Sequence, residues 1–406
     1  MTDTLKPRDD KDVEAAIAWA LAQGKTLEVI GRGTKRVIGR AAQTDLTLDL
    51  SGLSGVTLYE PEELVLSAKA GTPLAEIDAL LAAHGQELAF EPVDYGPILG
   101  QPAGGATLGG ALAANLSGPR RIKAGAGRDH FLGVKAVSGR GEAFKSGGRV
   151  VKNVTGYDLC KLLAGSWGTL AAMTDVTVKV LPRAEAEETL LVVGLDDRTA
   201  VRAMAAAMGS GADVSGAAHL PAAAAGRLDA DGLPAHQAVT ALRLEGVPPS
   251  ISQRRTLLER LMTPIGRLGR LPDVQSKHLW RAVRDAVPFA ARGDRPLWRI
   301  STAPSAGPDV AARLTAQDGA EVLYDWAGGL VWAELPSADD AGAEQVRRAF
   351  ASTGGHATLV RAPASVRASV AVFEPLEPTL AALTRRVKDG FDPQGVLNPG
   401  RMYAGV

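Results

Sequence analysis

The chain has a single cysteine, Cys160, among 406 residues. It forms no disulfide within itself, and this chain alone holds no cysteine-ligated iron–sulfur cluster. Aromatic residues make up only 4% of the sequence. Neither sign of charge dominates, with 45 Lys and Arg against 45 Asp and Glu. That balance removes the basic surface on which binding to nucleic acids or anionic membranes depends. No apolar run reaches the roughly 18 residues of a membrane span. The opening residues, MTDTLKPRDDKD, lack the apolar core of a secretion signal. The six histidines, His84, His130, His219, His236, His278 and His356, are scattered with no pair at metal-ligand spacing, so no metal site is expected. These absences point to a cytoplasmic globular protein. Any attachment to the inner face of the cell membrane would come through partner subunits.

What the chain does have is glycine, 46 residues of it, many falling between Gly96 and Gly168. Glycine is entropically costly to order, so such a density implies backbone in close approach to a ligand, or a domain rich in tight turns. At this length two domains are the default. Asp10 to Gln23 has the apolar spacing of a helix, with Gly24 as its stop. TLEVI, TLTLDL, VTLYE and LVLSAKA read as strands, and Thr72-Pro73 opens a second helix that ends at His84-Gly85. Gly109 to Asn115 reads as a short helix, LGVKAVS and GEAF as a hairpin, VTGYDLCKLLAGS as a helix and AMTDVTVKVLP as a strand. The texture changes near Pro182-Arg183. From there strands such as TLLVVGL, AVTALRLEG, LWRIS, LVWAEL and HATLVRA alternate with helices, predicting an antiparallel α+β sheet with helices on one face. No fixed-period repeat is visible. The expected boundaries are a first domain over 1–183, a second, ferredoxin-like α+β domain over 184–365, and a tail over 366–406.

Four segments carry the chemistry. GRGTKRVIGR follows the strand TLEVI. It is not a Rossmann fingerprint, because Arg36 stands where the third glycine belongs, and it is not a Walker A loop, because the order is Gly-Thr-Lys. Gly31 and Gly33 still let consecutive N–H groups converge on an anion, with Thr34 and Lys35 beside them; a plain two-glycine turn is the alternative. QPAGGATLGGALAANLSGPRR leaves almost no side chain between Gly104 and Gly110, so a flat ligand has room against the backbone. GGRVVKNVTGYDLCKLLAGSWGTLAAMT places Tyr157 and Asp158 between glycines. The fourth segment is the tail FDPQGVLNPGRM.

In their order and spacing these segments resemble the FAD-binding domain of the vanillyl-alcohol oxidase, or PCMH-type, superfamily. Within it they are similar to the FAD-binding E subunits of bacterial glycolate oxidases. The resemblance covers Gly31 to about Pro182 and the last dozen residues. It implies a first domain of two α+β subdomains and a noncovalent FAD. By analogy Gly31, Arg32, Gly33, Thr34 and Lys35 wrap the pyrophosphate. Thr107, Leu108, Gly109, Gly110, Asn115, Ser117 and Gly118 line the flavin and its ribityl chain, braced by Tyr157 and Asp158. Backbone around Ala172 meets the adenine, and Asn398 returns with the tail. The resemblance also implies a small 2-hydroxy acid as substrate, glycolate giving glyoxylate, together with a second FAD-binding catalytic subunit and an iron–sulfur subunit as partners.

Oxidation of a 2-hydroxy acid at a flavin needs a cation for the carboxylate and a base for the hydroxyl proton. Arg120 and Arg121 are candidates for the first by position, and His356 and Arg361 face the flavin in this reading; each also has an ordinary structural role open to it. Related catalytic subunits carry a His-rich metal motif that this chain lacks, which leaves two roles open, oxidation here or relay through a second FAD. Cys160 reads as a buried core residue. Trp280, Trp298, Trp326 and Trp332 are of a type more often core than interface, yet four in one half of an aromatic-poor chain suggest a docking face.

Overall fold

The computed structural model describes residues 3–148, 156–228, 231–234, 236–290, 293, 295–316 and 319–406. The chain divides into two compact units, Met1–Ser117 with Gly125–Arg183 and Ala371–Val406, and Gly118–Ala124 with Ala184–Val370.

The first unit contains two principal sheets. In the smaller, β1 (Asp3–Leu5), β2 (Leu27–Ile30) and β3 (Leu46–Asp49) run parallel in the order β1-β3-β2. The helix Asp10–Ala22 connects β1 to β2. Asp9 caps its first turn by accepting from the Asp12 N–H, and Gly24, at φ +61°, follows its end. Its Val13, Ile17 and Ala20 share one face and bury against Leu27, Leu48 and the tail residue Leu397. The larger sheet is antiparallel. Its strands are β4 (Val56–Glu60), β5 (Val65–Lys69), β7 (Phe131–Ser138), β8 (Ala143–Gly147) and β9 (Ala171–Lys179), in the order β4-β5-β9-β7-β8. A two-stranded ribbon pairs β6 (Gln86–Glu87) with β10 (Leu181–Pro182). Two local expectations change. Thr72 does not cap the helix Leu74–Ala83, because its hydroxyl bonds the carbonyls of Lys69 and Gly55 instead. The helix expected from Val154 spans only Leu159–Leu163 among the described residues, and the part of the motif over 149–155 lies outside them.

The second unit is one eight-stranded sheet. Its strands are β11 (Ala186–Val193), β12 (Gly216–Leu220), β13 (Val239–Gly246), β14 (Arg267–Leu271), β15 (Leu297–Ser301), β16 (Glu321–Asp325), β17 (Leu330–Glu334) and β18 (His356–Arg361). They lie in the order β14-β11-β13-β12-β16-β17-β15-β18, with antiparallel pairings throughout. This order is a duplication. β11 to β14 form one strand-helix-strand-strand-helix-strand motif, β15 to β18 form a second, and the two join edge to edge where His219 opposes Tyr324. The sequence hides this repeat because it lies in topology and not in residue identity. The joining strands, GAAHL and EVLYD, also lack a run of β-branched residues, so pairing on both flanks makes them strands. The helices Asp197–Met208 and Pro248–Met262 cover one face through Ala200, Met204 and Leu258 against Leu190, Val192 and Leu242. The helix Asp273–Arg284 packs near Thr189, to whose hydroxyl the Trp280 indole donates at 2.8 Å. Trp280, Trp298, Trp326 and Trp332 are all buried. They are core, two on sheet strands, Trp280 on a helix and Trp326 in the turn after β16, and the docking-face expectation fails because burial leaves none of the four indoles on the surface.

Candidate functional site

The strand β2 delivers the chain into the loop Gly31–Lys35 at one wall of a cleft of about 710 Å³, counting its open mouth. Gly109 and Gly110, Trp167 and Gly168, and Ala171 with Met173 form other walls, and Arg401 from the tail closes the set. The two glycine-rich loops touch. A Cβ on Gly31 would lie 2.6 Å from Thr107 Oγ1, and one on Gly109 would lie 2.6 Å from the Ala70 Cβ. Gly33 sits at φ +72°, a conformation natural to glycine. Among the described residues, the N–H groups of Gly31, Arg32, Gly33 and Thr34 donate to no backbone carbonyl. Such a run of open donors on a cleft wall is an anion cradle. Arg36, where a Rossmann fingerprint would have glycine, pins the loop to β2 through Glu28 at 2.8 Å. Thr107 caps the helix Leu108–Ala114 by accepting from the Gly110 N–H. A long cleft with open N–H groups at one end and side-chain-free backbone along its walls fits a dinucleotide.

Other sequence candidates do not line this cleft and have different roles. Asn115, in the left-handed region at φ 48°, accepts from the Arg128 N–H, and Ser117 accepts from the Gly127 N–H at 2.9 Å. Both brace the turn Gly127–His130. Leu108 is buried core, and Ala172 faces the core of the smaller sheet while its neighbours Ala171 and Met173 line the cleft. Tyr157 is 88% exposed, and Asp158 caps the helix Leu159–Leu163. Asn398 ties the tail to the cleft wall. It accepts from the Val29 N–H at 2.8 Å and donates to the Trp167 carbonyl at 2.8 Å. Trp167 and Arg401 were not singled out from the sequence. Their signal was a tryptophan between glycines in GSWGT and an arginine after Pro-Gly in NPGRM. Arg401 stacks over the Trp167 ring and donates to the Lys35 carbonyl at 2.9 Å, joining tail, turn and phosphate loop. Cys160 is buried, and burial pushes its thiol up to about 11, so it stays protonated.

Four sequence candidates for the chemistry lie in the second unit, as does Gly118, whose carbonyl accepts from the Trp326 indole. Arg120 is fixed by Glu245 at 2.6 Å. Arg121 stacks over Trp326, 4.4 Å from the ring centroid. His356 opens β18. Desolvation, and then the positive charge of Arg299, Arg121 and Arg347, holds its imidazole below the ordinary value of 6.5. It is therefore neutral near pH 7 and able to accept a proton. Arg361 is engaged elsewhere. Its three nitrogens bond the carbonyls of Arg295 and Phe289 and, at 2.6 Å, the buried Glu334, so it holds the sheet edge together.

Residues 4–147 match the family described as FAD binding domain. The chain is 34% identical to glycolate oxidase subunit GlcE of Escherichia coli over 387 residues, covering 95% of each chain. Over 44% of its length it is 32% identical to the D-lactate dehydrogenase of Archaeoglobus fulgidus, and this match covers 38% of that protein. In fold it is similar to 4-ethylphenol oxidase from Gulosibacter chungangensis, with a TM-score of 0.73 at 13% identity over 99% of this chain and 89% of that one.

Proposed function

The chain belongs to the FAD-linked oxidoreductases of the glycolate oxidase E-subunit family, and from that premise we propose that it oxidises a small 2-hydroxy acid, glycolate to glyoxylate. Its cofactor is FAD. The observation that carries the reading is the cleft with the open N–H groups of Gly31 to Thr34 at one wall and Gly109, Gly110 and Gly168 along the others. Lys35, buried beside those donors, offsets the pyrophosphate charge. FAD, when bound, would supply the two-electron acceptor for the hydride that leaves the α-carbon of the hydroxy acid. The chain's own residues do the rest. A guanidinium, with Arg121 the candidate from the sequence, fixes the carboxylate through paired hydrogen bonds. Neutral His356 takes the hydroxyl proton on a ring nitrogen as the C–H bond breaks.

The electrons then pass to partner subunits, a second FAD-binding subunit and an iron–sulfur protein, and on to an acceptor other than nicotinamide. Two features support a partner. The chain has one cysteine, and no group of three or more His, Cys, Asp or Glu able to hold a metal occurs among the described residues. No helix among them is long and apolar enough to cross a membrane, so peripheral attachment at the membrane's inner face comes through the partners. The similarity to a D-lactate dehydrogenase favours one alternative, a self-sufficient dehydrogenase of another 2-hydroxy acid.

The test is anaerobic mixing of the purified, FAD-loaded chain with glycolate or D-lactate, with absorbance followed near ~450 nm, where flavins absorb. Bleaching by glycolate, with electrons leaving only when the partner subunits are added, is the expected result. Bleaching by D-lactate in preference, with turnover by the chain alone, replaces the proposal with the alternative. No bleaching with or without partners removes both.

A further inference from the structure

The second unit contains a buried cation that the sequence did not mark. Arg299 lies mid-strand in β15 and is only 9% exposed. Its Nε is buried and has no hydrogen-bond partner among the described residues, and no carboxylate among them forms an ion pair with it. Two other arginines of this unit are treated differently. Arg361 is held by Glu334 at 2.6 Å, and Arg243 lies 3.4 Å from Glu245. An isolated buried charge is among the most expensive features a fold can retain, so a guanidinium left without an anion is there for something other than stability.

The surroundings of Arg299 are built. Strand alternation sends Trp298 the other way, where its indole bonds the Ala341 carbonyl and Arg347 stacks on its ring. On its own face Arg299 lies between Trp332 and Thr358, its register partners on β17 and β18. Its guanidinium sits 4.8 Å from the centroid of Trp326, the ring that also carries Arg121 at 4.4 Å. That ring is locked. Its indole N–H bonds the Gly118 carbonyl at 3.0 Å, and its backbone N–H bonds the Asp325 side chain at 2.7 Å. Trp326 and Ala327 are both held in the left-handed region, at φ 52° and 56°. Strain of this kind at non-glycine residues concentrates at functional sites. Two guanidiniums on one indole, with His356 close enough to feel both, concentrate positive charge beside the unpaired Nε of Arg299.

We propose that Arg299 is the primary anchor of the substrate carboxylate, with Arg121 as the second cation on the Trp326 ring. This rests on the 2-hydroxy-acid chemistry proposed above, and it assigns the carboxylate first to a residue buried in the sheet, ahead of Arg121. The arginine fork matches the planar carboxylate in a way that a lysine or a neutral donor does not.

The test uses the full, FAD-loaded chain and measures binding of glycolate and oxalate by calorimetry and by tryptophan fluorescence. Wild type, R299Q and R299K are compared, with glycolamide as the uncharged control and inorganic phosphate as the competing anion. R299Q should weaken carboxylate binding about thirtyfold or more, and R299K should weaken it less. Glycolamide should bind both variants and wild type alike. Without ligand, R299Q should melt no lower than wild type, since an uncompensated buried charge has been removed, and it should lose the rise in melting temperature that glycolate gives the wild type. Unchanged carboxylate affinity in R299Q or no carboxylate binding by wild type overturns the proposal, and so does phosphate binding more tightly than oxalate. The two readings fail separately. Arg299-dependent oxalate binding without flavin reduction by glycolate leaves the anchor standing and removes the reaction. Flavin reduction with unchanged affinity in R299Q does the reverse.

Discussion

Gly31 and Gly109 are glycines for reasons of contact. The Cβ of an alanine at 31 would press on Thr107 Oγ1, and one at 109 would meet both the Cβ and the carbonyl oxygen of Ala70. Thr107 can rotate, but the Ala70 backbone cannot. Gly31→Ala is therefore expected to lower FAD content with little loss of stability. Gly109→Ala is expected to cost about 1–3 kcal/mol by overpacking. Flavin absorbance per polypeptide and thermal unfolding separate the two effects. His356 gives a pH prediction. Its folded pKa is lowered, so the proton-accepting form is already dominant at neutral pH and is lost only as pH falls below the ordinary histidine range. The kcat/KM for glycolate should be flat near pH 7 and fall on the acid side. His356→Asn should abolish that limb and lower kcat by about 10²–10⁴. A pH profile of the variant that keeps the wild-type acid limb would exclude His356 as the base.

At the scale of elements, the tail depends on one buried ion pair. In the helix Pro378–Phe391, Lys388 donates to Asp392 Oδ2 at 2.6 Å and to the carbonyls of Thr169 and Leu397. Asp392 in turn accepts from the Val396 and Leu397 N–H groups. Both side chains are nearly fully buried. Burial lowers the Lys388 pKa while Asp392 raises it. Removing one partner strands the other, so Lys388→Met should destabilise the first unit by about 3–5 kcal/mol. Because Leu397 pairs with Leu27 and Asn398 with Val29, the loss should also loosen FAD, read as a higher flavin dissociation constant. A variant with wild-type flavin affinity and stability would show that the tail is held by its apolar contacts instead. The helix was not read from the sequence, and neither was the pair. An i,i+4 Lys–Asp spacing is common on solvated helix faces, and only the packing of Thr169 and Leu397 around it makes this one buried.

Across the whole molecule, FAD binding should act on stability by mass action, since the cleft is assembled from six stretches separated in sequence and vanishes on unfolding. At a free FAD concentration of about 100 times Kd, the first unit should gain ~2.7 kcal/mol. Differential scanning calorimetry with and without added FAD should show its transition rise. An unmoved transition would mean that the cofactor is held outside this cleft. The second unit shows the limit of pattern reading at this scale. Its α+β texture was visible, yet three of its eight strands, GAAHL, RLGRL and EVLYD, escaped, and the duplicated half-sheet escaped with them.

The sequence alone determined the class of fold and the FAD cofactor, because the glycine-rich segments that carry the family resemblance are local in the chain and keep their order and spacing. It left undecided which charged and aromatic side chains are structural and which are open to substrate. Arg120, Arg121, Arg299 and Arg361 look alike in a string of letters. The tertiary structure separates them, because the group each guanidinium meets is set by strands and loops that packing brings together: Arg120 meets Glu245, Arg361 meets Glu334, and Arg299 lies over the face of Trp326, whose indole bonds the Gly118 carbonyl.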